Sequence, residues 1–191
     1  RAQLLPELSK NPLLFYQYTI QDGDTPESIA YKYYDDQYRY WIILHGNNTM
    51  DPQADWPLDS QQFLDYLNDK YSANASAGQT GVQWANGNVH SYYVIETRTT
   101  NSTNTTLETK FQVDANTYAN TIVTSSNITL KDGLTITVAV TKDVKTYYDY
   151  ENDLNEKKRA IKIIKPEYYA QIIRELDNLT QTRPSYIRRL V

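Results

Sequence analysis

The sequence predicts an α+β fold. Three observations carry this: helical patterning near both ends, a middle dominated by Thr, Asn, Val and Tyr with an Asp-Gly turn between β-rich runs, and a short β-branched run, RAIKIIK, ahead of the last helical stretch. Composition divides the chain into an arm (1–17), a βαα module (18–71), a small polar linker (72–81), a β-rich middle with antiparallel hairpins (82–150), and a C-terminal strand, helix and tail (151–191). No internal repeat of solenoid period is present.

Residues 1–17, with Pro6, Pro12 and several Leu, read as an extended arm. Tyr18-Thr19-Ile20 reads as a short strand, ended by a turn at Asp22-Gly23-Asp24. Thr25 is placed to cap a helix with Pro26 at its first position, where a missing N–H costs nothing. Glu27 then stands where the helix dipole favours a negative charge. Ile29, Ala30 and Tyr33 supply one apolar face. A second helix is predicted from Asp36 to His45. Trp41, Ile42 and Leu44 make it apolar nearly all round, so Trp41 is expected in the core. Gly46 is expected to end this helix in the left-handed conformation. DPQADWP reads as irregular. Asp59 or Ser60 then caps a third helix with Phe63, Leu64, Leu67 and Tyr71 on one face.

Beyond the linker SANASAGQTG, Asn86-Gly87 predicts a hairpin turn, and His90 to Thr97 alternates toward strand. NSTNTT is a polar loop. Ile128-Thr129-Leu130, Lys131-Asp132-Gly133 and Leu134 to Val140 predict a hairpin. ENDLNEKKR reads as a helix or its end, and Arg159 to Lys165 as a strand. Pro166 starts a helix in which Tyr169, Ile172, Ile173, Leu176 and Leu179 recur at helical spacing. Ile161 and Ile163 of the preceding strand are placed to cover part of that stripe, so the helix is expected to pack on its own chain.

The bulk composition bounds the function. With 40% hydrophobic and 22% charged residues the chain can build a packed core. A formal charge of -4 argues against nucleic acid as the main partner. The absence of cysteine excludes disulfides and thiolate metal sites. No apolar run approaches the roughly 20 residues of a membrane span, so no membrane partner is expected. The start, RAQLLPELSKNPLLF, lacks the layout of a signal peptide and carries no initiator Met, so a trimmed or processed product is expected. The Asn-x-Ser/Thr triplets at Asn47, Asn74, Asn101, Asn104, Asn127 and Asn178 read as a by-product of composition. Tyrosine is the one oddity, 18 against 3 Phe. Two readings stand: a surface that is buried against a partner but must first tolerate water, or the ordinary preference of Tyr for strands.

Nothing in the sequence points to catalysis. His45 and His90, on different predicted segments, would need distant carboxylates to hold zinc. A Gly-x-Ser-x-Gly motif and a phosphate-cradling loop are both absent. The carboxylates Asp35-Asp36, Asp22 with Asp24, and Asp149, Glu151 and Asp153 read as turn and cap residues rather than a glycosidase pair. No catalytic residue, cofactor or metal is therefore expected. The candidate contact residues are Tyr186, Ile187, Arg188, Arg189 and Leu190, in the ending RPSYIRRLV, which mixes apolar and basic groups and has no obvious core to join. They are expected to pack on a neighbouring subunit. A solvated terminus accounts for the same charges.

Tyr18-Thr19-Ile20, Gly23-Asp24-Thr25, Ile29-Ala30, Tyr33 and Asn47-Asn48 resemble, in order, the LysM pattern of strand, GDT turn, helix and helix. That resemblance implies a βααβ module of a kind that binds N-acetylglucosamine polymers such as peptidoglycan or chitin. Pro26 stands where the pattern has Leu. The closing strand is replaced by Asp51-Pro52, Trp56-Pro57 and a new helix, so glycan binding is not expected. A second resemblance rests on Tyr40-Trp41-Ile42-Ile43-Leu44, Asn48, Asp51-Pro52 and Trp56, and on Asn155 to Arg159 with Ile161-Lys162-Ile163-Ile164-Lys165-Pro166. These residues look like the LysM-like baseplate wedge proteins of contractile-tailed, T4-type bacteriophages. The resemblance covers roughly residues 15–70 and 150–180. It implies a non-enzymatic virion component, made in the host cytoplasm. Its partners would be other baseplate wedge and hub proteins, and several copies would sit in a ring-shaped assembly, joining neighbouring wedges around the central hub. The alternative is a LysM-type peptidoglycan- or chitin-binding module of a tail lysin or cell-wall protein.

Overall fold

A computed structural model describes residues 11–181. The tail residues Tyr186, Ile187, Arg188, Arg189 and Leu190 lie outside the described residues. In chain order the described residues hold a 3-10 turn (Pro12–Leu14), β1 (Phe15–Thr19), α1 (Pro26–Tyr34), a second 3-10 turn (Gln37–Arg39), α2 (Tyr40–Gly46), α3 (Pro52–Asp55), α4 (Ser60–Tyr71), α5 (Gly81–Gly87), β2 (Val89–Thr100), β3 (Thr105–Val113), α6 (Ala115–Asn120), β4 (Thr124–Thr129), β5 (Thr135–Thr146), α7 (Tyr147–Arg159), β6 (Ala160–Ile164) and α8 (Pro166–Gln181). The α+β class follows from the sequence as expected. No described helix is long and apolar enough to cross a membrane. The described residues form two compact units, one from residues 11–60 with 155–181 and one from residues 61–154.

The first unit is built on a two-stranded antiparallel sheet of β1 and β6, with Phe15 opposite Ile164 and Thr19 opposite Ala160. The strand starts at Phe15, so the last residues of the expected arm belong to it. No strand follows α2 directly. The partner of β1 is the RAIKIIK run near the other end of the sequence. Both strands contribute to one core of Ile20, Ile29, Ala30, Ile43, Ile161 and Ile163, with Tyr18, Tyr33, Tyr34 and Trp56 packed around it. A second cluster, Phe15, Ile42 and Ile164, receives Tyr169, Ile172 and Ile173 of α8, so the last helix packs on its own chain. Tyr34 fixes that seat. Its ring stacks on Tyr169 at 5.4 Å, and its hydroxyl donates to the Ile164 carbonyl at 2.9 Å.

Local signals at α1 work as read. Thr25 accepts from the Ser28 N–H, Ser28 reciprocates to the Thr25 N–H, and Pro26 opens the helix. Two expectations need correction. The left-handed residue after α2 is Asn48 (φ 56°), not Gly46. Gly46 stays helical because the next residue, Asn47, is held to the sheet. The Asn47 amide donates to the Lys162 carbonyl at 2.8 Å and accepts from the Lys162 N–H at 2.7 Å. Trp41 is half-buried against the Phe15–Ile42–Ile164 cluster, while Ile42, Ile43 and Leu44 are the buried residues of α2. The segment DPQADWP is also more ordered than expected. Asp51 caps α3, the Trp56 indole donates to the Asp24 carbonyl, and Asn155 pairs with both backbone groups of Leu58. Arg159 ties this region together, reaching Asp22 at 2.7 Å and the carbonyls of Leu58 and Ile20.

The second unit contains a four-stranded antiparallel sheet in the order β3-β2-β5-β4. Its hairpins turn at residues 101–104, where Asn104 is left-handed, and at the expected Asp132-Gly133, where Gly133 has φ 82°. The hairpin expected at Asn86-Gly87 is instead the last turn of α5. The Thr80 and Gln83 capping box starts that helix, and Trp84 stacks on Tyr71 at 5.2 Å, which holds it helical. Within this unit α4 and α7 are pinned by Glu151, which is buried and accepts from Tyr71 (2.8 Å), Lys70 (2.8 Å) and Tyr66 (3.1 Å).

Burial alone pushes the Glu151 carboxyl up, but the three donors outweigh it and hold the group below its ordinary value. A depressed carboxyl stabilises the fold above its unfolded pKa and loses that contribution as pH falls through the folded value. Thermal melting followed from pH 7 into the acid range is therefore expected to decline once the pH drops below the ordinary Glu range. Glu151→Gln should flatten that decline, and an unchanged acid limb in the variant would contradict the assignment.

Candidate protein–protein interface

The register of the four-stranded sheet sorts its side chains into two unlike faces. Successive strand residues point to opposite sides. Tyr92 and Val94 of β2 thus share a face with Val113, Phe111 and Leu107 of β3, with Val144, Val140, Val138 and Ile136 of β5, and with Ile128 of β4. The other face carries Tyr93, Ile95 and Ala139 among Thr97, Thr99, Glu108, Lys110, Gln112, Thr141 and Asp143, so it is the more polar of the two. A one-sided apolar sheet of this kind ordinarily packs its apolar face on a core. Here α6 caps only the Tyr92 end, where Tyr92 meets Tyr118 at 4.9 Å and Lys142 lies over the Tyr118 ring and donates to the Ala119 carbonyl. Away from α6, Leu107 is 61% exposed, Phe111 49% and Ile128 50%. Ile122 and Val123, between α6 and β4, are exposed as well. The charged groups on this face are Glu96 and Arg98, paired with each other, and Lys142, engaged by α6. The middle of the face carries the Glu96–Arg98 pair with Thr109, Thr124 and Ser126 beside Leu107, Val138 and Val140, and Phe111 and Ile128 stand toward its two ends.

The first unit adds a second exposed set. Tyr31 and Tyr38 project from α1 and the following turn, Tyr16 from β1, and Leu13 from the first turn. Tyr18 is tied down instead. Its hydroxyl donates to Asp24 at 2.7 Å, and burial followed by that carboxylate pushes its pKa up to about 12.

The carboxylates weighed for chemistry have structural partners. Asp22 binds Arg159 and Ser60, Asp24 accepts from Tyr18 and the Gln21 N–H, Asp36 caps a 3-10 turn, and Asp35 is the left-handed C-cap of α1. Asp149 binds Thr146, and Asp153 pairs with Lys145. A shallow depression at Tyr93, Lys110, Asp143 and Lys145 has both lysines paired, Lys110 with Asp143 and Lys145 with Asp153. His45 meets the edge of Trp41, and His90 stacks on Tyr150 at 3.9 Å.

The geometry thus offers apolar and aromatic contact area and no free reactive group among these candidates. The sequence model of the family described as Base plate wedge protein 53 matches residues 10–178. The chain belongs to this family. A comparison with curated proteins returns no match. Membership makes the chain a structural protein of the phage virion, located in the tail baseplate, where it associates with other baseplate proteins. The match includes the β-rich middle, which the sequence resemblance left uncovered. The apolar face itself was missed in the sequence. The signal was present as period-two spacing, with Leu107, Phe111 and Val113 at alternate positions of β3 and Ile136, Val138 and Val140 at alternate positions of β5. Charged and polar residues between them, Glu108, Thr109, Lys110, Gln112 and Thr137, hid it.

Proposed function

We propose that the chain is a joint of the baseplate, tying neighbouring wedges together around the central hub in a ring of several copies, and that it does so by contact rather than by catalysis. The observation that carries this reading is the uncovered apolar face of the four-stranded sheet. Leu107, Phe111, Ile122, Val123 and Ile128 are large apolar side chains left exposed in this one unit; grouped apolar exposure rimmed by polar residues marks interaction surfaces, and a baseplate component has neighbours to cover it. Leu107→Asp with Phe111→Asp tests it. Leu107 is mostly exposed and Phe111 half-exposed, so melting should move by no more than about 1 kcal/mol, near the range of surface substitutions. Complementation of a phage lacking the protein should then yield few complete baseplates. Normal particles from the double variant would remove the face from the account. In the same assay, the tail residues Tyr186, Ile187, Arg188, Arg189 and Leu190 are proposed as a second contact. Deletion of residues 183–191 should keep near-normal melting and still block completion of the particle.

The first unit is read as LysM-like. The order β1, α1, α2 and then β6 supports this, with the closing strand delivered by Ala160–Ile164 instead of by the residues after α2. On this reading β6 serves as the closing strand, and the loss of that strand after α2 no longer argues against sugar binding. Two other features do. A whole second unit stands in place of the loop from second helix to closing strand, and the loop from first strand to first helix has Asp22 and Asp24 engaged by Arg159, Ser60 and Tyr18.

A further inference from the structure

The β1–β6 sheet has two outer edges, and they are treated differently. The Ile20 N–H donates to the Arg159 carbonyl and the Lys165 N–H to the Leu14 carbonyl. With the register of the pair, this places Tyr16 and Tyr18 in hydrogen-bonded pairs with β6 and turns the backbone groups of Phe15, Gln17 and Thr19 outward. Three of the corresponding outward groups of β6 are closed by side chains. Asn47 takes both groups of Lys162, and the Tyr34 hydroxyl takes the Ile164 carbonyl. On β1 the Phe15 N–H reaches Pro12 and the Thr19 carbonyl is met by the Gln21 amide. The Phe15 carbonyl, both groups of Gln17 and the Thr19 N–H have no partner among the described residues. These four groups are the set that a strand centred opposite Gln17 would bind.

The surroundings select the partner. Tyr16 and Tyr18 share one side of β1, and two lysines lie over the rings there. Lys165 is 5.5 Å from the Tyr16 centroid, and Lys32 is 5.1 Å from that of Tyr18. Neither lysine makes an ion pair among the described residues, whereas Asp24 beside them is engaged by Tyr18 and Gln21. We infer that the outer edge of β1 receives an extended segment of a neighbouring baseplate protein as a third strand, with acidic side chains on the face of Lys32 and Lys165. This mode takes affinity from main-chain hydrogen bonds and specificity from the alternate side chains. An unprotected edge is otherwise a liability that proteins cover or blunt, as this one does on β6. The inference rests on the joint reading above and names the chemistry of one of its contacts.

Hydrogen exchange over residues 15–20, on the isolated chain and on assembled baseplates, tests it. The Gln17 and Thr19 amides should exchange freely in the isolated chain and become protected on assembly. If the chain assembles and these amides stay fast, the strand proposal fails while the joint reading stands. Protection already present in the isolated chain, in a dimer, would show a second copy as the occupant and also overturn it. Gln17→Pro removes an outward donor at an edge position, where proline is tolerated. It should melt normally and bind its neighbours more than about tenfold more weakly, the scale of losing one or two main-chain hydrogen bonds. Normal assembly would overturn the proposal. Should that variant fold poorly, Lys32→Glu with Lys165→Glu leaves the backbone intact. Its full incorporation would overturn the acidic assignment, and rescue by charge reversal in the partner segment would support it.

Discussion

Ile163→Ala is expected to destabilise the first unit by about 3–4 kcal/mol. Ile163 sits in the middle of β6 opposite Tyr16, is 0% exposed, and touches the cluster formed by Ile20, Ile29, Ala30, Ile43 and Ile161. Truncation removes three carbons from full burial, worth roughly 0.8 kcal/mol each. A cavity term adds to this, because walls supplied by β1, α1, α2 and β6 relax only in part. Ile163→Val should cost only about 1 kcal/mol. Chemical denaturation of the two variants checks the pair. A loss below about 1 kcal/mol for the alanine variant would mean that the site collapses freely, against the packing described.

Gly81→Ala is the corresponding test of the second unit, with an expected loss of about 3 kcal/mol, at the upper end of ordinary overpacking. Gly81 opens α5 against the backbone of α4. A Cβ there would lie 2.6 Å from the Leu67 carbonyl oxygen and 2.7 Å from the Asn68 Cα. These are backbone atoms of a helix that also places Leu67 and Tyr71 in the core, so they cannot swing away as a side-chain tip would. The cost arises from close approach, since Gly81 has no positive φ. Gly87→Ala, at the other end of the same helix, meets nothing within 4 Å and serves as the control. It should be neutral or slightly stabilising, because alanine is the better helix former. Equal melting of the two variants would refute the close approach of α5 to α4.

The outcomes above show which signals in this chain are local. Thr25-Pro26, Asp132-Gly133 and the stripe of α8 each act within a few residues, and each was readable. Asn86-Gly87 is just as strong a hairpin signal on paper. It was overridden by a capping box six residues upstream and by the Trp84–Tyr71 stack, a contact that no local window contains. The partner of β1 had no local signal at all, since hydrophobic pattern identifies a strand but not its mate. The proposed interface was hidden for a different reason. The proposed contact face carries Thr109, Thr124, Ser126, Glu96 and Arg98 among its apolar residues, and by composition it resembles a solvated sheet. The tail proposed as a contact was legible only as an apolar-basic mixture, and the described residues do not reach it.

The split of the first unit also bears on the order of events during synthesis. A ribosome makes the chain from its N-terminus, and domains generally fold as they emerge. Residues 61–154 form a continuous unit and can close as soon as they clear the exit tunnel. Ile20, Ile29 and Ile43 emerge earlier but must wait for Ile161 and Ile163. Arg159 meets the Ile20 carbonyl across 139 positions, so the last part of the core is supplied only after the whole second unit has been made. Closing so long a loop costs little more than closing one of half its length, but the delay leaves three isoleucines uncovered on a nascent chain. Codon choices or chaperones that slow release would therefore alter the yield of the first unit before that of the second.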